Sequence, residues 1–176
     1  MPEALEPLEK VRRAIGFALR KHEGQMRKDG KTPYIAHPLR VFARLAVELE
    51  VKDEDILVAG ILHDTIEDTL TDFDDVEEKF GERVARFVAA MTHDKRAPEK
   101  ERDRTFWASL EKAPWEVRLV KLCDMLDNVL DSPELPEEKR RTYVTKKREE
   151  FPMLSHGMPD RFQGLVKKVA AKLGLA

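Results

Sequence analysis

The stretch Ile61-Leu62-His63-Asp64-Thr65-Ile66-Glu67-Asp68-Thr69 sets an imidazole and three carboxylates directly behind an apolar run, residues 56–62. If the segment is helical, residues four apart share a face, so His63 stands over Glu67 and Asp64 over Asp68. Acidic side chains at a helix C-terminus face the negative end of the macrodipole. Three of them there call for a compensating cation, either a metal or a set of basic side chains. The stretch therefore reads as a site.

Two further residues invite the same reading. His37 sits before Pro38, and Asp124 follows Val120-Lys121-Leu122-Cys123. With His63 and Asp64 they make four candidate ligands, each at an end or in the middle of an otherwise apolar helix, where an unpaired polar group is costly. Singly, each has a structural explanation: His37 as a capping or hydrogen-bonded core residue, Asp124 as half of a buried ion pair with Lys121. Spacing alone leaves both roles open.

Helices must position these residues. Apolar residues recur at helical spacing from Leu5 to His22, giving an amphipathic helix over about residues 4–23. A basic, glycine-punctuated loop follows, from Gly24 to Lys31. A second helix is expected to start at Pro38, where a missing N–H costs nothing, and to run to about Leu49. Asp53 is a good N-cap for a helix over about 54–68 that carries the opening stretch. Thr71 and Asp74 resemble a capping box for a short helix ending at Gly81. Val84, Phe87, Val88 and Met91 supply the stripe of the next helix, and residues 93–104 read as a solvated, charged connection or a frayed helix start. Helices follow at about 103–112, 115–130, 137–151 and 159–173. No segment alternates with period two. The fold class is all-α: one domain over residues 1–176, a bundle of roughly eight to ten helices, with C-terminal helices over about 137–173.

Composition narrows the partners. Charged residues make up 38% and hydrophobic residues 41% of the chain, as in a globular protein. A net charge of −2 gives no bulk attraction for nucleic acid or an acidic membrane, although local basic clusters can still hold a small anion. The N-terminus has neither the basic nor the apolar part of a signal peptide, and no apolar run approaches the roughly 20 residues of a membrane span. A single cysteine, Cys123, fits a reducing cytoplasm.

Tyr34-Ile35-Ala36-His37-Pro38, Leu62-His63-Asp64-Thr65-Ile66-Glu67-Asp68-Thr69, Phe80-Gly81 and Val120-Lys121-Leu122-Cys123-Asp124 stand in the order and spacing of the HD-domain phosphohydrolases. The chain resembles most closely the hydrolase domain of the RelA/SpoT proteins and the stand-alone small alarmone hydrolases. The core motifs lie within about residues 14–128. The resemblance implies an HD-domain fold and one divalent metal, usually manganese, held by His37, His63, Asp64 and Asp124. Two imidazoles and two carboxylates with open positions also suit Mn²⁺ better than a closed tetrahedral zinc. The resemblance further implies removal of the 3′-pyrophosphate of guanosine tetra- and pentaphosphate. Glu67 would then be the general base and water-orienting group, with Asp68 supporting it. Arg27, Lys28 and Asn128 match residues that lie against the nucleotide.

One segment departs from the family. After the metal-binding Asp the family usually reads Arg-Leu-His/Tyr-Asn-Met/Leu-Arg, whereas this chain has Met125-Leu126-Asp127-Asn128-Val129-Leu130-Asp131. Added negative charge at Asp127 and Asp131 should weaken binding of a tetra-anion unless the two acids point away or hold a bridging cation. That departure keeps two alternatives in view: an HD phosphohydrolase for another nucleotide or phosphoester, and a non-catalytic module that binds metal or nucleotide. The bifunctional relatives carry a synthetase domain after the hydrolase, and the length of this chain leads us to expect degradation of the alarmone, not synthesis.

Overall fold

A computed structural model describes residues 8–94 and 98–175 of the protein. In chain order the helices are α1 (Glu9–Lys21), α2 (Ala36–Ala43), α3 (Glu54–Leu62), α4 (Thr65–Asp68), α5 (Phe73–Phe80), α6 (Glu82–Ala90), α7 (Glu99–Glu111), α8 (Trp115–Asp131), α9 (Glu137–Ser155) and α10 (Gln163–Leu173). A π-turn, Arg44–Glu48, prolongs α2, and short 3₁₀ turns precede α9 and α10. Among the described residues there is no strand, only an isolated bridge between Met26 and Pro33.

Helix α3 is at the centre because it is apolar on every face, so it has to be surrounded. All seven residues from Ile56 to Leu62 are buried, with α1, α2, α6 and α8 packed around them. Each large side chain taken from water there contributes about 1.5–3 kcal/mol. Gly60 permits the tightest approach: a Cβ at that position would lie 2.6 Å from Leu45 Cδ1 in the π-turn. Helix α8 is the second buried element, with Leu119, Val120, Leu122, Cys123 and Leu126 fully enclosed. No helix among the described residues is long and apolar enough to cross a membrane.

Several boundaries differ from the sequence reading. Helix α2 begins at Ala36, so Pro38 occupies its third position, still within the turn whose N–H groups have no intrahelical partner. The capping box is one residue later than expected, with Asp72 and Asp75 exchanging the two hydrogen bonds. Helix α7 starts at Glu99, inside the charged connection, and α9 continues through Pro152 to Ser155. The first helix starts at Glu9; the expected residues 4–7 lie outside the described ones.

The largest correction concerns the opening stretch. The expected helix over 54–68 divides at His63-Asp64 into α3 and the four-residue α4. Side chains take over two of the carbonyls there: His63 Nδ1 donates to Gly60 O (2.9 Å) and Thr65 Oγ1 to Leu62 O (2.7 Å). The acids thus do not crowd one long helix's C-terminus. Asp64 is the N-cap residue of α4, and Glu67 and Asp68 are the last two residues of that single turn, with no long helix's negative end behind them.

Candidate functional site

Three elements deliver the candidate ligands. His37 is the second residue of α2, His63 and Asp64 form the joint between α3 and α4, and Asp124 lies midway along α8. Donor atoms of His37, His63 and Asp124 all lie within 4.8 Å of one another. His37 Nε2 is 3.2 Å from His63 Nε2 and 3.0 Å from Asp124 Oδ1. Asp64 Oδ2 lies beside these three, 3.0 Å from His63 Nε2 and 3.6 Å from His37 Nε2, although the set of donors all within 4.8 Å of one another does not include it. Metal–ligand bonds of about 2.0–2.2 Å place neighbouring donors roughly 3–3.6 Å apart, so these spacings suit one shared ion.

The hydrogen bonds fix the tautomers. A carbonyl only accepts, so His63 Nδ1, bonded to Gly60 O, carries a proton, and Nε2 is the nitrogen that a metal would take in the neutral ring. His37 Nδ1 faces Asp127 Oδ2 at 2.7 Å, and that carboxylate fixes the same tautomer in the second ring. Two lone pairs and two carboxylates converging in a buried space favour a positive charge between them. The pKa of His63 reports this: burial resists a charged ring, yet Asp64 and Asp124 push it up to about 10. Burial works against ionising Asp124, but Lys121 and the histidines hold it well below the usual carboxylate range. The chemistry of the donors fits a divalent metal.

Asp124 also makes the ion pair its sequence position suggested. Its Oδ2 accepts from Lys121 Nζ at 2.5 Å, while its Oδ1 accepts from Asn128 Nδ2 and faces the histidines. Tyr34 donates to Asp64 Oδ2 at 2.5 Å and approaches Asp68 Oδ2 at 3.2 Å. Glu67 points toward the start of the charged connection, where its Oε2 accepts from both His93 N and His93 Nδ1 at 3.0 Å. Burial raises the Glu67 pKa, but the His93 bonds outweigh it, so the net shift is downward and the group is ionised at neutral pH.

Beside Asp124 opens a cleft of about 170 Å³ whose lining includes Arg27, Lys28, Thr32, Arg40, Asn128 and Asp131. The basic loop is a tight turn tied by Arg27 N to Thr32 O (2.8 Å) and Tyr34 N to Gln25 O (2.8 Å). It buries the Arg27 side chain to 8% exposure, with Nη2 2.9 Å from Asn128 Oδ1 and 3.0 Å from Asp131 Oδ2. Lys28 stands 4.7 Å from the Tyr143 ring centre. Burial first, then Arg27 and Lys147, lower its pKa, so its charge is stressed in the way an anion would relieve.

The acids of the departing segment do not face the cleft unanswered. Asp127 is 2% exposed and turned to His37 and Arg40, and Asp131 is paired with Arg27 and Arg40. The sequence reading missed Arg40, His93, Tyr143 and Lys147. Arg40 had a findable signal: it lies three residues after His37, hence on the same helical face.

The family model described as HD domain matches residues 14–156. The zebrafish (Danio rerio) guanosine-3′,5′-bis(diphosphate) 3′-pyrophosphohydrolase MESH1 is 44% identical over 121 residues, covering 66% of this chain and 66% of that protein. Its Drosophila melanogaster namesake is 33% identical over 171 residues, covering 97% of this chain and 94% of the fly protein. A solved structure described as a metazoan ortholog of SpoT that hydrolyzes ppGpp superposes with a TM-score of 0.86 at 32% identity, covering 98% of this chain and all of that one.

Proposed function

We propose, from the premise that this chain belongs to the HD-domain family, that it is a metal-dependent phosphohydrolase acting on a guanosine 3′,5′-bis(diphosphate). It removes the 3′-pyrophosphate of the tetra- or pentaphosphate and leaves GDP or GTP. The observation that carries the reading is the convergence of His37, His63, Asp64 and Asp124, with Arg27 and Lys28 placed across Asn128 from them. Relatives named for this activity support it.

His37, His63, Asp64 and Asp124 would hold the ion, and the mixed imidazole–carboxylate set favours Mn²⁺ over a structural zinc. When bound, a divalent ion acidifies water and neutralises charge on the scissile pyrophosphate. Glu67, kept ionised and aimed by His93, orients the attacking water and receives its proton. Asp68 assists beside it, sharing the Tyr34 hydroxyl with Asp64. Arg27, locked by Asn128 and Asp131, offers a fixed guanidinium plane for the base, and Lys28 offers a charge for phosphate. The whole chain acts as one hydrolase unit on a small nucleotide, and its one cysteine, buried Cys123, suits a reducing cytoplasm.

The case for a different nucleotide lies in Met125, which is buried, and in the two acids Asp127 and Asp131. Both are neutralised by arginines, which removes the charge argument against a tetra-anionic substrate. Purified protein supplied with Mn²⁺ and guanosine tetraphosphate should release GDP and pyrophosphate. Fully metal-loaded protein that turns over none of it, but hydrolyses another nucleotide in a panel, would overturn the substrate assignment.

A further inference from the structure

Helices α2 and α8 pack against each other and present two matched pairs across their contact. His37 and Arg40 stand three residues apart on α2, and Asp124 and Asp127 three apart on α8, so each pair shares a face. His37 meets Asp124 in the metal centre at 3.0 Å. One turn along, Arg40 meets Asp127 with Nε 2.7 Å from Oδ1 and Nη2 2.8 Å from Oδ2, a two-pronged contact. Asp127 Oδ2 is shared, because it also accepts from His37 Nδ1 at 2.7 Å.

We propose that Asp127 is a positioning residue that fixes His37 for metal binding, with Arg40 as the counter-ion that keeps Asp127 in place. Asp127 is almost wholly buried, and a buried carboxylate without a partner is strongly destabilising. Arg40 neutralises it from the cleft side while its oxygen turns to the imidazole. The carboxylate then holds the proton on Nδ1, directs the Nε2 lone pair at the ion and strengthens the ring as a ligand. Arg40 Nη2 also reaches Asp131 Oδ2 at 2.7 Å, the same oxygen that holds Arg27 Nη2 at 3.0 Å. The string therefore runs from a metal ligand to the arginine of the cleft.

The inference rests on the metal-binding reading, so its test begins with metal and not with turnover. Mn²⁺ is titrated calorimetrically into the full chain and into Asp127→Asn, Asp127→Ala, Arg40→Ala and the Asp127→Asn/Arg40→Ala double variant. Circular dichroism confirms that each is folded. Asn has one acceptor oxygen and cannot serve both His37 and the Arg40 fork, so Asp127→Asn should bind Mn²⁺ roughly 10–100-fold more weakly. Arg40→Ala should weaken binding on its own yet add little to Asp127→Asn, because both act through one carboxylate. Excess Mn²⁺ should restore most of the lost turnover of Asp127→Asn, which a merely structural defect would not allow. Unchanged Mn²⁺ affinity in folded Asp127→Asn and Asp127→Ala would overturn this inference alone, as would additive effects in the double variant. A parent chain that binds no Mn²⁺ would overturn the metal reading with it.

Discussion

His93 grips Glu67 twice, its backbone N–H and its ring Nδ1 both 3.0 Å from the same carboxylate oxygen. The contact joins the stretch that carries the ligands to the start of the charged connection. It holds a candidate base ionised, outside the group of candidate metal ligands.

That separation divides the labour. Glu67→Ala should keep the metal and lose turnover by about 10²–10⁴-fold, the usual contribution of a positioned general base. His63→Ala and Asp64→Ala should lose both metal and turnover. Metal analysis alongside steady-state kinetics checks this, and an emptied site in Glu67→Ala would show that Glu67 has been given the wrong role.

Arg27 and Lys28 contact no metal ligand directly, so their removal should act on nucleotide binding. Each change to Ala should raise KM about 10–100-fold, the value of one charged hydrogen bond, with a smaller change in kcat. Mn²⁺ affinity should stay at the parent level in Lys28→Ala. Initial rates over a range of guanosine tetraphosphate, with a parallel Mn²⁺ titration, make the comparison.

The packing behind the site is equally open to test. In Gly60→Ala the new methyl would meet Leu45 Cδ1, which is enclosed in the core. Overpacking of this kind costs about 1–3 kcal/mol. Because the Gly60 carbonyl also holds His63 Nδ1, the variant should lose metal affinity together with stability. Denaturant unfolding and a Mn²⁺ titration on the same preparation report the two losses.

Asp53 caps α3, accepting from Asp55 N at 3.0 Å, and pairs with Arg83 Nη2 at 2.8 Å. The Arg83 hydrogen bond outweighs burial and holds the Asp53 pKa below its ordinary value. A lowered folded pKa contributes stability that is fully present above the unfolded value and is lost as pH falls through the folded one. Asp53→Ala should therefore cost about 1 kcal/mol at pH 7, and the gap from the parent should shrink below about pH 4. Asp53→Asn keeps the cap and should cost less. Urea unfolding at neutral and acid pH measures both differences.

Helix content was legible because it depends on local periodicity. Val11, Ile15 and Ala18 mark the packed face of α1, although Leu8 and Leu19, on the same apolar spacing, are exposed, and Asp53 marks the start of α3, without reference to any distant residue. The break at His63 was not legible. It depends on an imidazole and a threonine hydroxyl competing with the backbone for the Gly60 and Leu62 carbonyls, and helical spacing takes no account of that competition. The capping box moved by one residue because adjacent acids at 72, 74 and 75 offer nearly equivalent caps.

The sequence by itself determined an all-α chain and named His37, His63, Asp64 and Asp124 as candidate ligands, since residue types and motif spacing are local facts. Tertiary structure alone decided what surrounds them. Arg40 lies 87 positions from Asp127 and His93 lies 26 from Glu67, so neither partnership has a trace in local spacing. Asp127 and Asp131, which count as added negative charge in a one-dimensional reading, sit against two arginines brought from other elements. A charge is stabilising or destabilising according to what faces it in space, and only the packing of α2 and the basic turn against α8 sets that.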